Sequence, residues 1–293
     1  MAVDTPLFAQ HSRRWQDNRY VYPVISRRSR GLSIGVNLNP DGACNFDCAY
    51  CCVDRSGPVA EKAERKALKE VDLAVLRIEL DHALTVASDG SLFSQPPFDS
   101  TPEPLRRLND IAFSGDGEPT SFPRFAEACA LAADLLAWHQ LPAVKVVTIT
   151  NATLLHQERV QTALDGLGER CEVWAKLDAG TEPYYQLIDR SDVPFSRILA
   201  NLLAAGQRRP IVIQSLFARL HGEAPPTAEI IAWLGRLTDL RAGGAVIDRI
   251  QVYTTARSTT ESWVMPLTRD EVDAITAEAR AVGFAADAFY APG

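Results

Sequence analysis

Residues 44–52 read CNFDCAYCC and hold four of the chain's six cysteines. Cys44, Cys48 and Cys51 form a C-x3-C-x2-C triplet in a loop that follows an apolar run and contains Pro40 and Gly42. Thiols so close in sequence bridge awkwardly. The first twenty residues lack a basic-then-apolar export pattern, so a cytoplasmic protein with reduced cysteines is expected. A zinc site normally needs two ligand pairs. Cys48 and Cys51 have the spacing of one pair, but no second C-x2-C or H-x3-H follows, and His82, His139 and His156 stand alone. An iron–sulfur cluster suits the pattern better. Three soft thiolates on a short loop cover three corners of a cubane and leave the fourth iron open to a ligand. Cys52, adjacent to Cys51, is the spare. Cys129 and Cys171 read as single structural cysteines.

Outward from this loop, short runs rich in β-branched residues alternate with longer amphipathic stretches. Strands are expected at 32–38, 110–115, 144–151, 171–178, 211–218 and 248–255. Helices are expected near 62–86, 122–139, 155–166, 195–206, 227–241 and 269–282. The last is opened by Thr268 as N-cap with Glu271 three residues on. Several strands are apolar without clean alternation, as for parallel strands covered on both faces. Six strand-then-helix units imply α/β architecture with right-handed crossovers. From periodicity alone the sheet is either open and doubly wound or a closed or partial barrel. In both cases ligands gather at the carboxyl ends of the strands.

The 293 residues carry a formal net charge of -7, which argues against a broad phosphate-binding surface. Charge is uneven, for residues 1–31 hold six arginines against two aspartates. That stretch is read as a basic N-terminal extension before a core domain at 32–293. It is either a solvated arm or a local anion or RNA contact. With no aromatic platform beyond Trp15, Tyr20 and Tyr22, the solvated arm is preferred. No run approaches the length of a membrane helix.

The triplet with its aromatic, Cys44 to Cys48 and then Ala49-Tyr50-Cys51, resembles the signature of the radical S-adenosylmethionine (radical SAM) superfamily, C-x3-C-x-aromatic-C. The resemblance implies a partial (β/α)6 TIM-like barrel. It also implies a [4Fe–4S] cluster held by Cys44, Cys48 and Cys51, with SAM bound at the open iron. Reductive cleavage would then give methionine and a 5′-deoxyadenosyl radical that abstracts hydrogen from a substrate. FSGDGEPT (113–120) resembles the family's Gly-Gly-Glu segment, which contacts the SAM amino group, with Asp116 in place of the first glycine. Gly115, Asp116, Gly117 and Glu118 are therefore expected at the cofactor, as is Tyr50.

VTITNATLL (147–155) and VWAKLDAG (173–180) are similar to the family's third and fourth strand ends. They nominate Asn151, Lys176 and Asp178, although Asn and Asp are also common turn formers and Lys176 could lie on an outer rim. The fifth and sixth strands resemble the oxidoreductase subgroup that includes the wyosine-base synthases. They add Val252 and Tyr253 near the adenine, with core packing as the rival for Val252. Gln214 points either to the cofactor or into a helix layer. No second cysteine set suggests an auxiliary cluster, and the reductant is expected to be a separate one-electron donor such as flavodoxin or ferredoxin. The expected substrate is a small molecule or peptide. A tRNA base is the alternative, disfavoured by the net charge, and a non-catalytic zinc-binding module ranks last.

Overall fold

Backbone hydrogen bonding sorts the β-branched runs into strands within two residues of where the sequence places them. The computed structural model describes residues 15–53 and 71–292. These fall into two compact units, described in turn.

The first unit comprises residues up to 44, 56–149 and 157–172. Its strands are β1 (Val21–Ser26), β2 (Gly31–Val36), β3 (Leu108–Phe113) and β4 (Lys145–Thr150). β1 turns back on β2 as an antiparallel hairpin, whereas β2, β3 and β4 run parallel. β1 lies before residue 31, in the stretch read from sequence as an extension, and Val21, Tyr22 and Ile25 are buried. Helix α1 (Leu73–Ser88) is capped by Asp72, whose side chain accepts from the Ala74 and Val75 amides. The helix expected at 62–86 is thus seen from Leu73 onward. Its part at 62–70 lies outside the described residues. Glu79 of α1, although buried, accepts from the backbone N–H groups of Arg19, Tyr20 and Val21 at 2.8, 2.9 and 3.1 Å. Three amide donors suffice to hold a buried carboxylate, and here they pin the start of β1 to the helix. α2 (Phe125–Trp138) and α3 (Glu158–Gly166) complete this unit.

The second unit holds residues 45–55, 150–156 and 173–293. β5 (Cys171–Lys176) enters it at Val173 and pairs in parallel with β6 (Ile211–Leu216), followed by β8 (Ile247–Tyr253) and β10 (Ala286–Phe289). A short antiparallel ladder joins β7 (Ala218–Leu220) to β9 (Val264–Pro266). The helices are α4 (Glu182–Ile188), α5 (Phe195–Arg208), α6 (Thr227–Ala242) and α7 (Arg269–Ala281). α7 starts with the capping box read from sequence, Thr268 and Glu271 bonding to each other's backbone amides. α6 packs on β6 through Trp233, which is fully buried, stands edge-on to Phe217 and donates its indole N–H to Ser215 Oγ at 3.0 Å. The backbone after β5 comes so close that a Cβ on Gly180 would lie 2.1 Å from the Trp233 nitrogen. Glu229, in the first turn of α6, binds that same turn through the Gly180 and Thr181 amides at 2.5 and 3.1 Å. No helix among the described residues is long and apolar enough to cross a membrane.

Asp110, on β3 in the first unit, is buried and accepts from Ser33 Oγ at 2.5 Å. Burial pushes its carboxyl from the ordinary 3.8 up to about 6, against the opposing hydrogen bonds from Ser33 and Ser29. A carboxyl raised on folding stabilises the fold below its unfolded value, and that contribution is lost as pH rises through about 6. Asp110→Asn does not ionise. Between pH 4 and pH 8 it is expected to lose about 2 kcal/mol less stability than the parent. Urea unfolding at the two pH values measures this, and equal losses would refute the assignment.

Candidate functional site

The part of the cysteine loop in the second unit, residues 45–52, is held by backbone first. Its Asp47 and Ala49 amides donate to the carbonyls of Asp189 and Ile188 at 3.2 and 2.8 Å, where α4 ends. The Cys51 amide closes a turn onto the Cys48 carbonyl at 2.9 Å, and the Thr260 amide donates to the Cys51 carbonyl at 2.8 Å. Side chains add to this. Asn45 Oδ1 accepts from Asn151 Nδ2 at 2.7 Å, its Nδ2 donates to Thr153 Oγ1 at 2.7 Å, and Ser191 Oγ donates to its carbonyl. Asn151, nominated from sequence, therefore reaches the cysteine loop through Asn45, which sequence reasoning did not single out.

Beneath the loop lies a buried polar network. Tyr50 is 7% exposed, and its hydroxyl donates to Asp178 Oδ2 and stands 3.1 Å from Asp189 Oδ1. Lys176 Nζ lies 3.0 Å from Asp178 Oδ2, donates to the Tyr253 hydroxyl at 3.1 Å, and sits 4.4 Å from the centre of the Tyr50 ring. Asp178 Oδ1 takes the Leu216 amide at 2.7 Å, so both carboxylate oxygens are engaged. The network thus gathers four nominated residues, Tyr50, Lys176, Asp178 and Tyr253, around one carboxylate. Lys176 faces this interior and not an outer rim.

Burial dominates the acid–base character here. It pushes the Tyr50 hydroxyl well above its ordinary value, with the Asp178 charge adding to the rise. Burial opposes the charge on Lys176, yet Asp178 and its other neighbours prevail and hold the ammonium protonated. Asp189 is pushed well up by burial and by Asp178. The Cys48 thiol, whose Sγ lies 3.7 Å from Asp189 Oδ1, is raised by burial and then by Asp189, with Lys176 pulling the other way. Asp189 was missed from sequence because a single Asp at the end of a seven-residue helix carries no motif.

Two further nominated residues separate by face. Ser215 Oγ bonds the Leu177 carbonyl and receives Trp233 of α6, so it lies on the helix side of β6. Val252 is its register partner on β8 and is fully buried on that side. Gln214 faces the other way, in register with Lys176, and donates to Gln251 Oε1 at 2.7 Å.

In the first unit, the segment after β3 is shaped by close approach. A Cβ on Gly117 would lie 2.0 Å from the Ala43 carbonyl, immediately before Cys44. Asp116 and Asn37 bond reciprocally, Asn37 Nδ2 donating to the carboxylate at 2.6 Å and the Asp116 amide donating back at 3.2 Å. Gly115 packs against the same Asn37. Glu118 is buried and accepts from the Thr120 amide and hydroxyl at 3.1 and 2.5 Å.

The residues suit a thiolate-bound group by their donor chemistry. Cys51 Sγ accepts the Val53 amide at 3.4 Å, and Lys176 is a half-buried cation whose field reaches Cys48. Among the described residues, no three His, Cys, Asp or Glu side chains converge as a single-ion site.

No family model matches the chain. A UPF0026 protein of Helicobacter pylori is 25% identical over 235 residues, which cover 78% of this chain and 65% of that protein. The chain thus spans just under two thirds of that relative's length. Among solved structures, TYW1 with a lysine-pyruvate adduct bound is similar at 16% identity and a TM-score of 0.52, over 86% of this chain and 74% of that one. Streptococcus suis SuiB bound to S-adenosylmethionine is similar at 13% identity and a TM-score of 0.55, over 90% and 52%. These likenesses show the fold, a mixed α/β partial barrel as expected from sequence.

A raised thiol is a poor nucleophile, because the thiolate is the reacting form. In metal-free protein at pH 8, iodoacetamide is expected to modify Cys48 on the order of tenfold more slowly than free cysteine. Fragment-resolved mass spectrometry reads the rate. Modification as fast as free cysteine would contradict the raised thiol.

Proposed function

We propose that the chain is a SAM-cleaving enzyme of the radical SAM superfamily, a reading supported by its fold and its C-x3-C-x-Tyr-C loop. Its proposed action is to remove a hydrogen atom from a small-molecule or peptide substrate. The observation that carries this reading is the anchoring of the signature loop: Tyr50 is bound between two buried carboxyl groups, one of them paired to Lys176. Such an investment of buried charge at strand ends is expected of a working site more than of a structural knot.

Cys44, Cys48 and Cys51 are the proposed ligands of a [4Fe–4S] cluster. When bound, that cluster supplies the electron that splits SAM. The chain's own residues bind and orient. In the first unit, Gly115 and Gly117 keep side chains out of the backbone after β3. There Glu118, fixed by Thr120, offers a carboxylate to the methionyl ammonium, and Asp116 is held by Asn37. In the second unit, Asn151 holds the loop through Asn45, and Asp178 with Tyr253 are proposed SAM contacts. The Val252 backbone serves the adenine, and Lys176 offsets the negative charge that thiolate ligation concentrates at Cys48. The electron comes from a separate donor protein of the flavodoxin or ferredoxin kind.

The deciding experiment is anaerobic reconstitution with iron and sulfide, followed by EPR of the reduced protein with and without SAM and an assay for 5′-deoxyadenosine. A [4Fe–4S] signal that shifts on adding SAM, with 5′-deoxyadenosine formed, is expected. Colourless protein holding stoichiometric zinc and inert to SAM would refute the reading. Cys48→Ala is expected to abolish both the signal and SAM cleavage, whereas Cys52→Ala leaves both largely intact. Loss of the cluster in Cys52→Ala and its retention in Cys51→Ala would overturn the ligand assignment.

A further inference from the structure

On the face of the second unit's sheet opposite Ser215 and Trp233, two neighbouring amides keep a hydrogen-bond donor and an acceptor that no described protein group takes up. Gln214 on β6 and Gln251 on β8 are register partners and are 0% and 1% exposed. Gln214 Nε2 donates to Gln251 Oε1 at 2.7 Å. Gln214 Oε1 and Gln251 Nε2 are left buried without a hydrogen-bond partner among the described residues. Turning both amides over exchanges their roles and again leaves one donor and one acceptor, so the pattern is independent of amide orientation.

Their placement points to a ligand. Lys176, Gln214 and Gln251 stand in one register row across β5, β6 and β8, so the amides share the face on which Lys176 meets Tyr50 and Tyr253. This row lies near the carboxyl ends of its strands, where α/β folds bind ligands. Buried polar atoms are rarely left unpaired, and two together beside a candidate site call for a complement. Leu at both positions would fill the same volume and leave no polar atom unmet.

We propose that Gln214 and Gln251 recognise the substrate through an amide edge, an N–H donor beside a C=O acceptor. The N–H faces Gln214 Oε1 and the C=O faces Gln251 Nε2. A carboxylate or ester lacks the donor, and an amine lacks the acceptor and would meet the Lys176 ammonium. The edge belongs either to a lactam ring of a nucleobase or to a primary carboxamide, since a trans peptide group turns its N–H and C=O to opposite sides. This inference rests on the radical SAM reading and narrows the class of substrate that such a site takes.

The test uses reconstituted protein with SAM bound and saturation-transfer NMR with two pairs of probes, uridine beside 3-methyluridine and acetamide beside N,N-dimethylacetamide. Transfer to the N–H member of at least one pair is expected, at least tenfold stronger than to its blocked partner. The responding pair identifies a lactam or a carboxamide. In the double variant Gln214→Leu/Gln251→Leu that transfer is lost, while the ligand-free protein melts about 2–4 °C higher because two unmet polar atoms are gone. Equal transfer to blocked and unblocked probes, or none to either, would overturn the inference. So would a lower melting temperature in the double variant, which marks the pair as structural, or weakened SAM binding by calorimetry, which assigns the amides to the cofactor. Protein that binds neither cluster nor SAM defeats the radical reading as well. Protein that binds both but no amide probe defeats this inference alone.

Discussion

Asp178 ties together more of the candidate site than any other residue. One carboxylate oxygen holds the Leu216 amide at the end of β6, and the other receives both Lys176 and the Tyr50 hydroxyl. With 1% of its surface exposed, the group depends on these partners for the charge it carries. Removing one member of such a buried pair typically costs 3–5 kcal/mol, because it strands the other. The consequence is positional. Two strand ends and the cysteine loop are referred to one fixed carboxylate, so the loop geometry follows from the packing of β5 and β6. α6 supports the same point from behind, since Glu229 and Trp233 lock the turn that follows Asp178.

The polar residues of this unit fall into two kinds. Glu229, Asn45 and Ser215 have several partners each and serve to hold backbone. Gln214 and Gln251 satisfy each other only in part. Where the first kind prevails, the structure is finished without a ligand. Where the second occurs, a chain that has gained nothing in stability keeps polar atoms in its interior, which marks function more than fold.

Much of the architecture was legible in advance. The six β-branched runs became strands, and the capping box at Thr268 opened α7. What sequence missed was short or lacked pattern: the four-residue β10, the seven-residue α4, the three-residue ladder of β7 and β9, and the hairpin strand β1. The first three are too brief for a period to emerge, whereas β1, as long as β2, is interrupted by Pro23.

For the site, the amino-acid sequence alone determined where the thiols lie. Four cysteines in nine positions are a local fact, and the proposed soft-metal chemistry rests on their spacing. It also nominated Tyr50, Lys176, Asp178 and Tyr253. Only the tertiary structure decided that these four meet, that Asp189 joins them from 139 residues beyond Tyr50, and that Gln214 faces Lys176 while Val252 faces the helix side. The physical reason is that strand alternation defines two faces without saying which one a helix will cover. That choice is made when α6 places Trp233 on Ser215 and leaves the opposite face to the cysteine loop.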